Sequence, residues 1–141
     1  MPKINFSQND ITIDDMPAVN YLMTQLSSTP KNIAFEQIQK VMKNGIIFTA
    51  RNKGTLIGMA TLTFINKPTA FFGTTEDVIV DINFRRMGIA KSLINQLIKK
   101  AREMGLNYID LTSRPEREVA NKLYSSLNFE LRKTNYYRLS L

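Results

Sequence analysis

Apolar residues recur at the three- and four-residue spacing of an amphipathic helix in four stretches of the chain. Asp14 or Asp15 offers an N-cap for the first helix, and residues 27–30 are expected to end it. Asn44 and Gly45 are typical of the end of the second helix. The pattern therefore predicts about four helices. Their apolar stripes are Met16, Val19, Leu22, Met23 and Leu26; Phe35, Ile38, Val41 and Met42; Ile89, Leu93, Ile94, Leu97, Ile98 and Ala101; and Val119, Ala120, Leu123 and Leu127.

Other stretches are rich in β-branched and apolar residues and are separated by turn residues, which is typical of strands. The Asn-Lys-Gly sequence at residues 52–54 is a hairpin signal, and Asn-Lys-Pro at 66–68 marks the next turn. The order of strands and helices predicts one mixed α+β domain over residues 1–141, with a mostly antiparallel sheet of six to seven strands. The predicted strands cover residues 3–6, 46–50, 56–64, 77–82, 108–111 and 129–141, the last with room for two.

The composition excludes several kinds of catalytic chemistry. The 141 residues contain no Cys and no His, so zinc sites built from those residues, Cys nucleophiles and Ser-His-Asp triads are ruled out. Proton transfer must then use carboxylates, Tyr, Lys, the backbone or water. A net charge of +7 favours polyanionic partners such as coenzyme A or nucleic acid, although solvation of helix faces accounts equally for many of the Lys and Arg residues.

No apolar run approaches the length of a membrane-spanning helix, and residues 1–10 lack the apolar core of a signal peptide. The sequence therefore predicts a cytoplasmic protein that does not contact a membrane.

The most informative stretch runs from residue 75 to residue 101. It reads as a β-branched strand, a short basic turn containing Gly88, and an amphipathic helix. The first backbone N–H groups of a helix have no partner within the helix, and the helix dipole favours an anion there. A strand, a glycine-bearing turn and a helix N-terminus together make a phosphate site, although the same pattern also fits an ordinary turn of an α/β protein.

Two motifs in this half of the chain resemble a known family. R-x-x-G-x-A at residues 85–90, after the strand E-D-V-I-V-D, resembles the acyl-CoA-binding motif Q/R-x-x-G-x-G/A of the GNAT N-acetyltransferase superfamily. Leu-Tyr at 123–124 and Asn-Phe at 128–129 are similar to the family's Leu-Tyr helix and the Gly-Phe that follows it. This resemblance over residues 75–129 implies a GNAT-like fold, acetyl-CoA as cosubstrate, and direct acetyl transfer without a metal.

The resemblance also implies two catalytic residues. Tyr124 stands at the position of the family's Tyr, which protonates the leaving coenzyme A thiolate, and a phenol with a pKa of about 10 is protonated at neutral pH. Glu76 is the preferred base for the acceptor amine, directly or through a water. Successive strand residues point to opposite faces, so only one of Glu76 and Asp77 is expected to face the acceptor. Asp81 and Glu36 are weaker alternatives.

The cofactor-binding residues implied by the resemblance lie mainly on the strand and the turn. Backbone groups of residues 78–80 would bind the pantetheine arm, and those of 86–91 would hold the pyrophosphate, where a Cβ at Gly88 would obstruct the approach. Arg117 replaces the Asn found in many relatives and could instead reach a phosphate. The full predicted set is Val78, Ile79, Val80, Arg85, Arg86, Met87, Gly88, Ile89, Ala90, Lys91 and Arg117.

The predicted function is an N-acetyltransferase that transfers the acetyl group of acetyl-CoA to a primary amine, with a small-molecule acceptor preferred. The alternatives are a protein or peptide acceptor, a non-catalytic acyl-CoA-binding regulatory module, and a nucleic-acid-associated protein. The chain lacks an RNA-binding signature and a dense basic run, which argues against nucleic acid. An exposed strand edge would allow a homodimer.

Overall fold

The structure is a computed structural model that describes residues 2–26 and 32–141. The predicted end of the first helix at residues 27–30 lies outside these described residues. The chain divides into two compact units, Met1–Leu111 and Thr112–Leu141. A single domain over residues 1–141 stays a prediction.

The first unit contains a five-stranded sheet with the order β1-β2-β3-β4-β5. Strands β1 (Ile4–Gln8), β2 (Gly45–Asn52), β3 (Thr55–Lys67) and β4 (Ala70–Val80) pair antiparallel in sequence order, whereas β5 (Ile109–Asp110) pairs parallel with β4. The predicted mixed α+β class and mostly antiparallel sheet are confirmed. The described residues form five strands in place of the predicted six to seven.

Both predicted hairpins are present, with small changes in their limits. Lys53 and Gly54 have positive φ angles of 49° and 83°, which is the type I′ geometry that a two-residue hairpin turn favours. Strands β3 and β4 are joined through residues 68–69, so the second turn ends one residue later than the predicted turn at 66–68. The predicted central strand at 77–82 begins earlier and ends at Val80, because Ile82 starts a 3-10 turn and is 61% exposed.

Helices cover both faces of the sheet in this unit. Helices α1 (Met16–Leu26) and α2 (Phe35–Asn44) pack on one face, and α3 (Ile89–Glu103) packs on the other. The predicted stripe of α3 is buried except at Ile98, which is half-buried, and Leu93 and Leu97 are fully inaccessible to solvent. The sheet is therefore buried between two apolar layers, which leaves its strand edges and strand ends as the places where a ligand can approach the backbone.

The start of α1 differs from the prediction. Thr12 caps a 3-10 turn over Ile13–Asp15, and its N–H donates to the Asp15 carboxylate at 2.9 Å. Arg51 of β2 donates to both oxygens of that carboxylate at 2.8 and 2.9 Å. The predicted N-cap role of Asp14 or Asp15 is wrong, because Asp15 lies inside the turn and pairs with an arginine distant in the sequence.

The second unit contains one helix, α4 (Glu118–Ser126). Its half-buried face carries Ala120, Leu123, Tyr124 and Leu127, whereas Val119 is 85% exposed. Consecutive helix residues are about 100° apart, so Val119 lies beside this face. The predicted stripe was therefore wrong at Val119.

Two strand predictions near the C-terminus also fail. The predicted buried strand at 108–111 shortens to the two residues of β5, and Tyr108 is 39% exposed. Residues 129–141 form no strand, because they pair with no other segment of the second unit and the adjacent Tyr136 and Tyr137 break the two-residue alternation.

Candidate active site

The edge of β4 is open along its second half. β5 pairs with β4 only at Gly73 and Thr74, so residues 75–80 have a strand partner on the β3 side alone within the described chain. The predicted cofactor-binding residues Val78, Ile79 and Val80 lie on this open stretch, half-buried or buried. Backbone groups on this side of the strand can hydrogen-bond an extended ligand, as an added strand would.

The end of β4 is held by the segment that follows it. The Asp81 N–H donates to the Ile57 carbonyl at 2.8 Å, and Arg85 Nε donates to the Val80 carbonyl at 3.1 Å. Arg85 was predicted to bind the cofactor, and its guanidinium is held here at the strand end. The carbonyl of Val80 has a second lone pair, so it can still accept another hydrogen bond.

The basic turn presents free N–H groups at the start of α3. Arg86 and Gly88 adopt left-handed φ angles of 65° and 75°, and the first hydrogen bond of the helix joins the Ser92 N–H to the Gly88 carbonyl at 3.0 Å. Among residues 2–26 and 32–141, no acceptor is found for the backbone N–H groups of residues 86–91. A Cβ at Gly88 would meet no atom within 4 Å, so its surroundings are open. An anion can therefore reach these N–H groups.

The side chains of the turn reinforce its positive potential. Arg85, Arg86 and Lys91 are exposed, and the first turn of α3 contains no acidic residue. Met87 is 39% exposed, whereas Ile89 is buried in the core and contributes only its backbone. The helix dipole and the three cations all favour a phosphate group.

A cavity of about 360 Å³ lies on the α1–α2 face of the sheet in the first unit. Thr61 and Thr63 of β3 line it, together with Glu76 and Asp77 of β4. The hydroxyl of Thr63 is hydrogen-bonded to that of Thr74. Sequence reasoning missed the two threonines, although their alternation in an otherwise apolar strand was a readable sign of a polar patch on one face.

Glu76 and Asp77 both line this cavity, although consecutive residues of a regular strand point to opposite faces. Thr61 pairs with Glu76 and Met59 with Ile79, so two residues of β4 lie opposite one residue of β3. This arrangement is a β-bulge, and Asp77 at its centre has a φ of 48°. The bulge interrupts the alternation of side chains along β4, and both residues are exposed.

The two weaker candidates for the base are placed elsewhere. The Asp81 carboxylate accepts a hydrogen bond from the Asn83 N–H at 3.0 Å and caps the turn after β4. Glu36 is exposed in the first turn of α2. Neither lines the cavity among the described residues.

In the second unit, the end of α4 fixes the position of Tyr124. The Tyr124 carbonyl accepts from the Phe129 N–H at 3.0 Å, and the Ser125 carbonyl accepts from the Asn128 N–H at 3.1 Å. This is a Schellman motif, with Asn128 in the left-handed conformation at a φ of 68°. The rings of Tyr124 and Phe129 meet edge to face, with centroids 5.9 Å apart. The Asn that replaces the usual Gly is thus accommodated.

The Tyr124 phenol and the Arg117 side chain influence one another electrostatically. Burial raises the pKa of Tyr124 above its ordinary value, and the positive charge of Arg117 partly opposes this rise. Arg117 is exposed at the N-cap position of α4. The phenol therefore keeps its proton throughout the neutral range, as a proton donor must.

Two further properties concern the described residues as a whole. They contain no group of three or more carboxylates that could hold a metal ion. None of their helices combines the length and the apolar character needed to cross a membrane.

Comparison with solved structures identifies the fold. An acetyltransferase from Trypanosoma brucei is 21% identical, with a TM-score of 0.81 and coverage of 99% of this chain and 100% of that one. A ribosomal-protein-alanine N-acetyltransferase from Brucella melitensis is 20% identical, with a TM-score of 0.77 and 99% of both chains covered. An aminoglycoside N-acetyltransferase in complex with CoA is 19% identical, with a TM-score of 0.80 and coverage of 100% and 97%.

The model of the acetyltransferase (GNAT) family matches residues 14–129. The match includes both motifs that carried the resemblance, and it extends into the N-terminal half, where the sequence showed no signature. It covers well over half of the chain. The chain therefore belongs to the GNAT family of acetyltransferases.

Proposed function

We propose that this protein is an N-acetyltransferase that transfers the acetyl group of acetyl-CoA directly to the primary amine of a small molecule. Acyl-CoA-dependent acetyl transfer is the reaction of the family. The observation that carries the proposal is the open edge of β4 leading into the basic turn, where the N–H groups of residues 86–91 have no acceptor within the described chain.

The residues present fit coenzyme A. The backbone of residues 78–80 would hold the pantetheine arm, and the turn with Gly88 would hold the pyrophosphate, assisted by the exposed charges of Arg86 and Lys91. Arg117 is proposed to bind a phosphate. When bound, acetyl-CoA supplies an activated acetyl group on a thiol leaving group.

Glu76 is proposed as the base, since it lines the cavity from the strand that also offers the open edge. It removes a proton from the ammonium of the acceptor, the amine nitrogen then bonds to the acetyl carbon as the carbon–sulfur bond breaks, and the nitrogen loses its second proton to water. Tyr124, whose role is assigned by the family motif, gives its phenolic proton to the sulfur. The products are an N-acetyl amide and coenzyme A, and both side chains recover their protonation states from water.

Thermal unfolding with and without acetyl-CoA tests the cofactor. A ligand at about a hundred times its Kd contributes about 2.7 kcal/mol, which should raise the unfolding midpoint by about 5–10 °C. Gly88→Glu should remove this rise. Gly105→Glu is the matched control, because both glycines have a φ of 75° and open space around a Cβ. A rise that survives in Gly88→Glu, or is lost in both variants, would contradict the proposed cofactor site.

Amine-dependent release of coenzyme A tests the catalysis. The protein has no Cys, so thiol detection has no background from the enzyme. Release that requires both acetyl-CoA and an amine is expected. Binding of acetyl-CoA without any such release across a broad amine panel would identify a non-catalytic acyl-CoA-binding module instead.

A further inference from the structure

We infer that the acceptor is a small primary amine with one cationic group and an apolar body, and that polycationic or sugar-like amines are poor substrates. This inference rests on the proposed function, because it takes the cavity beside Glu76 as the acceptor site. Every described lining residue of this cavity lies in the first unit.

The walls of the cavity are mostly apolar. Met23 of α1, Ile38 of α2, Ile47 of β2 and Met59 of β3 are each less than a tenth exposed and contribute thioether or aliphatic surface. Ile33 and Val41 add further aliphatic surface and are half-buried. Such walls bind a hydrocarbon group and offer no hydrogen bonds to a polyhydroxylated ligand.

The charge of the cavity is concentrated on one strand. Glu76 and Asp77 are adjacent on β4, and none of the described lining residues is Lys or Arg. In a chain with a net charge of +7, this pair of carboxylates gives the cavity one place that attracts a cation.

Because Glu76 and Asp77 are adjacent, a second ammonium group at the far end of the same ligand would lie away from both carboxylates, against lining residues that are mostly aliphatic. An unpaired charge in apolar surroundings is strongly unfavourable, so each additional ammonium should weaken binding. Gln37, Thr61 and Thr63 are the other polar lining residues among those described, and none of them carries a charge. This composition selects a monoamine.

The size of the cavity agrees with a small acceptor. Its volume of about 360 Å³ lies near the lower end of the range of about 300–1,000 Å³ that ligand pockets occupy. An alkylamine or arylalkylamine fits within such a volume, whereas a di- or trisaccharide amine would extend beyond it.

A matched series of amines tests the inference with acetyl-CoA saturating. From n-butylamine to n-hexylamine, each methylene group should raise kcat/KM about three- to fourfold, as expected for its burial. n-Hexylamine should exceed 1,6-diaminohexane by at least about tenfold, since the diamine places a second charge against the walls. A flat dependence on chain length, or a better kcat/KM for the diamine, an aminoglycoside or a tripeptide N-terminus, would overturn the inference.

A pair of variants locates the effect in the cavity. Val41→Thr keeps the side-chain volume but adds a hydroxyl to the wall, so it should lower the preference for n-hexylamine over 1,6-diaminohexane about threefold or more. Val119→Thr makes the same chemical change at a position that is 85% exposed and is not among the described lining residues, and it should leave the preference unchanged. Equal effects of the two variants would contradict the proposed site.

Calorimetric titration without acetyl-CoA separates this inference from the proposed function. Tighter binding of n-hexylamine than of 1,6-diaminohexane supports the ligand class even if no acetyl transfer occurs, in which case only the catalytic proposal fails. Acetyl transfer to amines without this preference supports the catalytic proposal and overturns the inference.

Discussion

Glu76 and Asp77 are consecutive residues of strand β4, yet both line the same cavity. The cause is the β-bulge opposite Ala60, in which Asp77 adopts a left-handed φ of 48°. A regular strand would have directed one carboxylate into the cavity and the other to the α3 face. The bulge thus concentrates two negative charges where an acceptor amine is proposed to bind.

Glu76→Gln should lower kcat by about a hundredfold or more, the contribution that is usual for a general base. Asp77→Asn should cost only a few fold, because Asp77 is expected to attract the amine without taking its proton. Asn also tolerates the left-handed conformation, so the bulge should persist in this variant. Steady-state kinetics with a fixed amine measure both effects. A larger loss of kcat in Asp77→Asn than in Glu76→Gln would mean that Asp77 is the base and that Glu76 attracts the amine.

The bulge itself can be tested through stability. Asp77→Val places a β-branched residue at a left-handed position and should lower the free energy of unfolding by about 1–2 kcal/mol. Asp77→Gly is the control, because glycine adopts this conformation without strain. Urea unfolding followed by circular dichroism compares them, and equal stability of the two variants would argue against the bulge.

Tyr124→Phe should lower kcat by about ten- to a thousandfold and leave the binding of acetyl-CoA intact. Tyr136→Phe is the matched control, because Tyr136 is an exposed tyrosine of the same unit. Burial raises the pKa of Tyr124, so the donor stays protonated as pH increases through the neutral range. The loss of activity caused by its deprotonation should therefore have its midpoint above pH 10, the ordinary pKa of a phenol. A pH–rate profile with a tyrosine-dependent decrease near neutrality would contradict this role.

Asp15 should make the free energy of unfolding decrease at acidic pH. Its hydrogen bonds from Arg51 lower its pKa from the ordinary value of 3.8, and the Thr12 N–H adds to this effect against the opposing effect of burial. The folded state therefore holds the ionised carboxylate more tightly than the unfolded state does. Its stabilisation is complete above that ordinary value and is lost as pH falls through the lowered pKa.

The measurement is the free energy of unfolding of Asp15→Asn across pH. At pH 7 the variant should be about 1–3 kcal/mol less stable, the usual value for a hydrogen-bonded charged group. The difference from wild type should shrink below pH 3.8. Asp14→Asn changes an exposed neighbour and should have little effect at any pH. A difference that persists unchanged at low pH would mean that the ion pair does not stabilise the fold.

Much of the local structure could be predicted because its signals are local. The α3 stripe that begins at Ile89 was predicted residue by residue, since a 3.6-residue period needs no knowledge of the partner surface. The Lys53-Gly54 turn was predicted for the same reason, because few residue types tolerate a positive φ. Tyr124 and the glycine of the basic turn entered as candidates through their motifs.

The other features could not be predicted, because they depend on the segments with which each helix or strand pairs and packs. Residues 129–141 were predicted to be a strand, yet a strand exists only where another segment supplies its hydrogen bonds, and none does so within their unit. Val119 looked equivalent to Leu123 in sequence but lies beside the half-buried face of α4. The local sequence predicts a helix cap at Asp15. Its ion pair with Arg51 cannot be predicted in this way, because it joins positions far apart in the chain.

The sequence by itself determined the family, the order of the elements and the basic turn before α3, since periodicity, turn residues and motifs are properties of neighbouring residues. The tertiary structure alone decided that β4 is open beyond Thr74 and that Glu76 and Asp77 share a cavity with Met23, Ile38 and Met59. The physical reason is that strand register, bulges and cavity walls arise from the pairing of distant segments, whose hydrogen bonds and packing no local pattern encodes.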